Sequence, residues 1–261
     1  MTRTRERRLN VKTTALTEID RLSLRVRPSG WSLMQQWWGK LLFMHWRVPI
    51  EALRPLVPSR LEIDTFDDSA WIGLVPFTMW GVRPSFTPAP PRPVGAFHEL
   101  NVRTYVHAGG VPGVWFFSLD AANRLAVWGA RHFYHLPYFN ARMSLRQDGE
   151  TITYSSQRTH ADAPPAEFAA TWTVGNALDK ARHGSLDFFL TERYCLYSAA
   201  RRNERLYRSR IFHQPWPLRR ARLTSLRSTM LEAVGLPTPA GEPLLHYAEA
   251  IKADIWPLVA V

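Results

Sequence analysis

The chain has 261 residues, 46% hydrophobic and 21% charged, enough to bury about three-quarters of its unfolded surface and hold a core without covalent staples. Its one cysteine, Cys195, excludes an internal disulfide framework and fits a reducing compartment, so a cytoplasmic location is expected. The net charge of +11 rests almost wholly on arginine, with lysine only at Lys12, Lys40, Lys180 and Lys252; arginines scattered along the chain point to coding bias rather than to a nucleic-acid stripe.

Residues 1 to about 30 carry Arg3, Arg5, Arg7 and Arg8 without the apolar run of a secretory signal. They read as a mobile, Arg-rich tail or a loosely docked helix. Apolar runs such as Leu41–Met44 and Trp115–Phe117 fall far short of the ~20 residues that span a bilayer, so no membrane partner is expected. Residues 31–261 read as one domain, since no repeat or low-complexity linker divides them. Lys40–Val48 is a buried strand, and Pro49 opens a short helix, Ile50–Val57, that Pro58 ends. In Leu61–Phe66, Leu61, Ile63 and Thr65 alternate with Glu62 and Asp64, the pattern of a half-buried strand. Asp67-Asp68-Ser69 turns it into a hairpin with Ala70–Val82, which Pro76 interrupts.

Arg83–Val94 holds five prolines and reads either as a rim loop over a pocket or as an ordered connection. Phe97–His107 is a strand that returns as Val114–Leu119 through Gly109-Gly110 and Pro112-Gly113. Asp120 is a plausible N-cap for the main helix, Ala121–Tyr134, in which Leu125, Trp128, His132 and Phe133 fall at helical spacing. Further strands are expected over Ala141–Leu145, Thr151–Gln157, Phe168–Val174, Arg193–Ser198, Arg205–Phe212, Leu218–Arg227 and Leu244–Trp256, with a short helix, Thr229–Val234, ended by Gly235. Many short strands around one main helix predict a closed or nearly closed antiparallel sheet.

No phosphate loop, dinucleotide glycine pattern or serine elbow is present. Cys195, between Tyr194 and Leu196-Tyr197, reads as a thiol packed as a small hydrophobe. His132 and His135 are spaced i, i+3 but lack a third ligand at short spacing, so no metal and no cofactor is expected. One polar set stands out. Glu99 and Arg103 share a face of their strand, His45 interrupts an apolar strand, and Arg131, His132 and Tyr138 bracket the end of the main helix. In a closed sheet these groups could converge. Buried polar groups either pair or serve a ligand, and a structural Glu99–Arg103 ion pair is the plain alternative.

The runs Leu41–Pro49, Leu53–Pro58, Leu61–Asp64, Ala126–Arg131, His135–Phe139 and Ala253–Pro257 resemble the acetoacetate decarboxylase-like superfamily. Glu99–Tyr105, Gly113–Asp120 and Leu136–Tyr138 resemble more closely a conserved bacterial branch of it, classed as a domain of unknown function. Together the resemblance covers residues 36 to 257. It implies a mainly β (α+β) fold: an antiparallel, cone-shaped β-barrel with an internal pocket, one main helix and a few short helices. In the decarboxylases a lysine directly after the proline forms a Schiff base with the keto acid, beside a second lysine. Those positions here are Tyr138 and Phe139, and neither can form an imine. The resemblance matches the decarboxylases' pocket glutamate to Glu99 and their helix arginine to Arg131; the acidic residue after that arginine is His132 here. Lys252 is the one lysine with a plausible inward path.

The expected function is therefore a pocket for a small organic acid without imine chemistry. Glu99 would act as general acid or base and Tyr138 as donor to a developing oxyanion, with Arg103, Arg131, His45 and His132 binding the substrate. The alternative is a ligand-binding or sensing module without turnover. Binding of nucleic acid or another anionic surface through the tail and Arg201–Arg222 is disfavoured, and a homo-oligomer is left open.

Overall fold

The computed structural model describes residues 18–88, 95–200 and 205–261. The Arg-rich start of the tail, most of the prolines of the rim loop and the beginning of the Arg201–Arg222 stretch lie outside them. The chain is mainly β. Its strands are β1 (Met34–Val48), β2 (Glu62–Ile63), β3 (Ala70–Pro84), β4 (Phe97–Ala108), β5 (Val111–Ala121), β6 (Tyr138–Asp148), β7 (Thr151–Arg158), β8 (Glu167–Ala177), β9 (Cys195–Ala199), β10 (Leu206–His213), β11 (Leu218–Ser228), β12 (Leu244–Ile255) and β13 (Val259–Ala260). Among the described residues four α-helices accompany them, α1 (Glu18–Ser23), α2 (Ile50–Leu53), α3 (Arg124–Phe133) and α4 (Leu186–Thr191), with 3-10 turns over Arg54–Leu56 and Glu232–Val234. No helix among the described residues is long and apolar enough to cross a membrane.

All strands join one sheet in the order β13-β10-β9-β5-β6-β7-β8-β11-β12-β1-β3-β4-β2, and two further pairings, β4–β5 and β10–β12, turn the sheet back on itself. Following the hydrogen bonds gives two circuits. One runs through β1, β3, β4, β5, β9, β10 and β12; the other through β1, β3, β4, β5, β6, β7, β8, β11 and β12. The pairs β5–β6 and β5–β9 are parallel, where the sequence suggested antiparallel pairing throughout. Of the strands that both circuits share, β1 and β3 are largely apolar on both faces, which is why their sequences read as near-continuous hydrophobic runs, while β4 is apolar on one face and carries polar groups on the other. Leu42, Met44, Ile72, Leu74, Leu100 and Val102 pack into one core with Tyr154, Phe168 and Trp172. Phe43, Val75, Phe77 and Tyr105 face the other core, with Leu119, Phe189 and Trp216.

A bulge in β1 sets these faces. Pairing with β3 slips between Gly39 and Met44, and Lys40 takes φ +50°. The extra residue switches inward pointing from the even positions Gln36 and Trp38 to the odd positions Leu41 and Phe43. Pro76, in mid-β3, falls opposite this slip, where the ladder is already broken and its missing N–H costs least. Gly39 is needed beside it: a Cβ there would stand 2.5 Å from the Trp80 ring and 2.6 Å from the carbonyl oxygen of Glu249.

Several local expectations are corrected. The strand expected over Leu61–Phe66 shrinks to β2, which pairs with β4 rather than forming a hairpin with β3. Pro112 and Gly113 belong to β5, and Gly109-Gly110 alone makes the turn, with φ +55° and +78°. Asp120 is not a cap. It lies on β5, while Asn123 caps α3 by accepting from the amides of Leu125 and Ala126 at 3.0 and 3.1 Å. The helix α4, capped by Ser185, was not expected at all. Within the expected tail, Arg21 is bidentate on Asp64 at 2.8 and 2.6 Å, Leu24 is buried and Arg27 pairs with Asp254, so this part of the chain is anchored.

Candidate functional site

A cavity of about 300 Å³ opens inside the seven-strand circuit, and every strand of that circuit contributes to its wall. Most of the wall is apolar, from side chains such as Phe43, Phe77, Phe116 and Leu119. One side is formed by α3. There Ala126, Gly129 and Ala130 face the cavity and Phe133 stands at its exposed rim, while Leu125 and Trp128 are exposed to solvent on the outer side. The spacing that marks an apolar stripe in the sequence thus marks the outer face; the small residues let the helix approach the sheet.

Strand β4 supplies three polar groups of the wall. Glu99, Asn101 and Arg103 alternate with the filled core and point into the cavity. The opposite strand β5 carries a bulge at Phe117, between the partners of Val102 and Arg103, which keeps Phe116 and Leu119 on the same side. Glu99 is buried and accepts a 2.7 Å hydrogen bond from the Tyr138 hydroxyl. Burial pushes its carboxyl up to about 8, against the pull of hydrogen bonds from Tyr138 and Asn101 and with a smaller push from Asp120. Below that pH Glu99 is a neutral acid that can donate a proton and accept a hydrogen bond; above it the carboxylate can take a proton up. Behind the pair, Asp120 is held by Arg158 through contacts of 2.7–3.1 Å, and Tyr154 donates to the Glu99 carbonyl at 2.9 Å. Burial also drives the Tyr138 hydroxyl well above its ordinary range, so it serves as a donor, not as a base.

At the far end of the same strand face stands Arg103. Its guanidinium lies 5.2 Å from the Phe43 ring centre and 5.7 Å from that of Tyr105. No carboxylate among the described residues makes a salt bridge with it, and its Nε has no hydrogen-bond partner. The structural ion pair with Glu99 is therefore not formed. Arg193, just after α4, joins Arg103 in the wall, its guanidinium 4.5 Å from the same Tyr105 ring. Its Nε donates to the Phe189 carbonyl and its Nη1 to Asp64, both at 2.6 Å; burial lowers its pKa to about 10. Asp64 serves Arg193 and Arg21 together. Burial disfavours its charge, but the two arginines overcome this and hold its pKa below the ordinary value.

The remaining expected residues do not reach the cavity. His45 lies behind Arg103, with Nε2 2.6 Å from the Tyr105 hydroxyl, which itself donates to the Leu190 carbonyl at 2.7 Å. The single hydroxyl proton is thus used, so Nε2 carries the histidine's proton. Burial, helped by Arg103, keeps this ring neutral. Arg131 donates to the Tyr138 carbonyl and fixes the start of β6 rather than a ligand. His132 is exposed and its Nδ1 meets the Trp128 carbonyl at 2.7 Å. Among the described residues, lysine is absent from the wall: Lys252 is 43% exposed beside Asp254, Lys40 pairs with Glu249 and Lys180 is exposed. Among the described residues, no group of three or more His, Cys, Asp or Glu is placed to hold a metal ion. Cys195 is buried and its thiol is pushed up to about 11 by that burial, which makes it inert.

Sequence reasoning missed Arg193, Asp64, Asn101, Tyr105 and His213, the last buried in the cavity wall. Asn101 and Tyr105 could have been found, since they continue the i, i+2 series from Glu99 to Arg103. Arg193 and Asp64 are 129 positions apart in the chain and carry no local signal of their pairing.

Comparison with known proteins places this geometry. A family model described as an uncharacterized conserved protein, DUF2071, matches residues 35–252. The uncharacterized protein YqjF of Bacillus subtilis (strain 168) is 45% identical over 231 residues, 88% of this chain and 93% of its own length. Among solved structures, the enduracididine biosynthesis enzyme MppR complexed with pyruvate superposes with a TM-score of 0.62 at 12% identity, over 89% of this chain and 91% of that one. An acetoacetate decarboxylase superposes with a TM-score of 0.59 at 17% identity, over 90% of each chain. At these identities the likeness to the two enzymes is one of fold.

Proposed function

We propose that this chain, which belongs to the DUF2071 family, uses the seven-strand circuit as a cone-shaped barrel that binds a small organic acid and moves a proton without forming an imine. One observation carries the reading. Among the described residues, the same cavity wall holds a buried carboxyl, raised to about 8 by that burial and bonded to a tyrosine, together with an arginine that no carboxylate salt-bridges, and no lysine. Arg103 is the group for a carboxylate. Glu99, neutral below about pH 8, hands its proton to a carbonyl oxygen, and its conjugate base takes one from the adjacent carbon as the C–H electron pair becomes the C=C bond of the enol, leaving Glu99 protonated again. Tyr138 donates its one hydroxyl proton to the substrate oxygen while Glu99 is protonated, and to the Glu99 carboxylate once that proton has been handed over. The complex of MppR with pyruvate supports an organic acid as the ligand class on this fold. It does not carry over the reaction, because imine chemistry needs an amine in the wall.

A screen of oxo and hydroxy acids against wild type and Glu99→Gln tests the reading. A turned-over acid should lose about 10²–10⁴-fold in rate with Glu99→Gln; equal turnover by both proteins sinks the assignment.

The dominance of apolar side chains in the wall favours a second reading, a binding or sensing module without turnover. Its mark is an acid that raises the melting temperature yet is recovered unchanged.

A further inference from the structure

The polar groups of the cavity are separated into two ends. Glu99, with Tyr138 and the Asn101 amide bonded to it, forms one. Arg103 and Arg193, both against the Tyr105 ring, form the other. Glu99 and Arg103 are four residues apart on an extended strand, so their backbones stand ~13 Å from each other. The wall around the gap is built from Phe43, Phe77, Phe116 and Leu119. The arginine end carries surplus positive charge. Asp64 faces both Arg193 and Arg21, His45 is neutral, and Glu192 is turned to Tyr194 and the Trp216 amide.

The size of the cavity sets a further limit. At ~30 Å³ per water-sized group, 300 Å³ corresponds to about ten non-hydrogen atoms. A three-carbon oxo acid would leave about half of it empty. Apolar volume left unfilled contributes nothing, whereas each buried methylene contributes ~0.8 kcal/mol, about fourfold in affinity.

We infer that the ligand is a medium-chain amphipathic acid of roughly six to nine carbons, with its carboxylate at Arg103 and Arg193, an apolar body along the phenylalanines, and an oxo or hydroxyl oxygen at Glu99 and Tyr138. This rests on the organic-acid reading above and specifies its substrate class. The charge is needed at one end because Arg103 forms no salt bridge with a carboxylate among the described residues. The oxygen is needed at the other because a neutral carboxyl and a phenol in an apolar wall are matched only by a hydrogen-bonding group.

Calorimetric titration of the full chain with straight-chain carboxylates from two to fourteen carbons, their oxo derivatives and the matching primary alcohols tests this. Affinity should rise about fourfold per methylene, peak at roughly six to nine carbons and then fall. The alcohols should bind at least tenfold more weakly than the acids, a comparison that needs no variant. Arg103→Met should weaken every acid at least tenfold without moving the optimum, and Tyr138→Phe should remove the preference for oxo derivatives. An optimum at two or three carbons, or no dependence on length, overturns the inference while leaving the acid/base role of Glu99 standing. The expected optimum together with unchanged turnover in Glu99→Gln supports it and removes that role instead. Failure of every acid to bind overturns both.

Discussion

Replacing Glu99 by glutamine should change how stability depends on pH. The carboxyl is held from its ordinary 4.5 up to about 8, mainly by burial, so the folded protein retains its proton over a range in which the unfolded chain releases it. The folded state therefore binds more protons than the unfolded state between these values. Stability must fall as pH rises, by ~1.36 kcal/mol per pH unit from this group alone. Over the whole window the loss reaches at most ~5 kcal/mol, and below pH 4.5 the group contributes no pH dependence. Glutamine preserves the shape and can still accept from Tyr138, yet it does not titrate. Urea unfolding of wild type and Glu99→Gln at pH 5, 6.5 and 8 should show the variant gaining relative stability at each step, with the midpoints diverging while m stays constant. A Glu99 side-chain carbon resonance that titrates near pH 8, and higher still in Tyr138→Phe, would give independent support, since the tyrosine bond lowers the value. Parallel pH profiles for the two proteins refute the reasoning and with it the neutral acid.

Three further perturbations probe the supports of the site. Asp64→Asn should cost ~3–5 kcal/mol at neutral pH, because Arg193 loses its buried counter-charge; wild-type stability from this carboxylate, whose pKa is depressed, should fade only as pH drops below its ordinary 3.8, and denaturation curves at pH 3 and 7 read both effects. Arg158→Leu should cost a similar ~3–5 kcal/mol by stranding Asp120, and Asp120→Asn in the same chain should restore much of it; a double variant no better than the single one contradicts the pairing. Asn123→Ala should remove the cap of α3 at a cost of ~1 kcal/mol, seen as faster amide exchange over 124–128, with unchanged protection counting against a role for the cap.

The parts of the site that could be read from the sequence are those set by the period of a strand. Glu99 and Arg103 share a face because four is a multiple of two, and the structure keeps them so. Their separation in purpose could not be read, because whether two side chains on one strand face meet or stand apart depends on what fills the gap. His132 was misplaced for a related reason. Helical spacing reveals a stripe but not its direction, and at α3 the small residues Ala126, Gly129 and Ala130 win the inner face by allowing close approach. The mistaken hairpin has a third cause. Alternation in Leu61–Ile63 and a turn at Asp67–Ser69 are local facts, while the choice of β4 as partner is made by the long β1–β3–β4 ladder already in place. Arg193, Asp64 and α4 needed the assembled fold before they had any meaning.

The closing seam of the sheet has a consequence for how the chain is made. Met34 of β1 pairs with Ile255 of β12, about 220 residues later. At ~5–20 residues per second, β1 leaves the ribosome some ~10–45 s before that partner exists. The β4–β5 hairpin and the β6–β7–β8 meander are built from neighbours in sequence and can form as they emerge. The apolar run Leu41–Met44 cannot be covered on its β12 side until synthesis is nearly complete. A nascent chain of this protein thus carries an open strand edge on β1 for most of its translation, until β12 arrives to cover it.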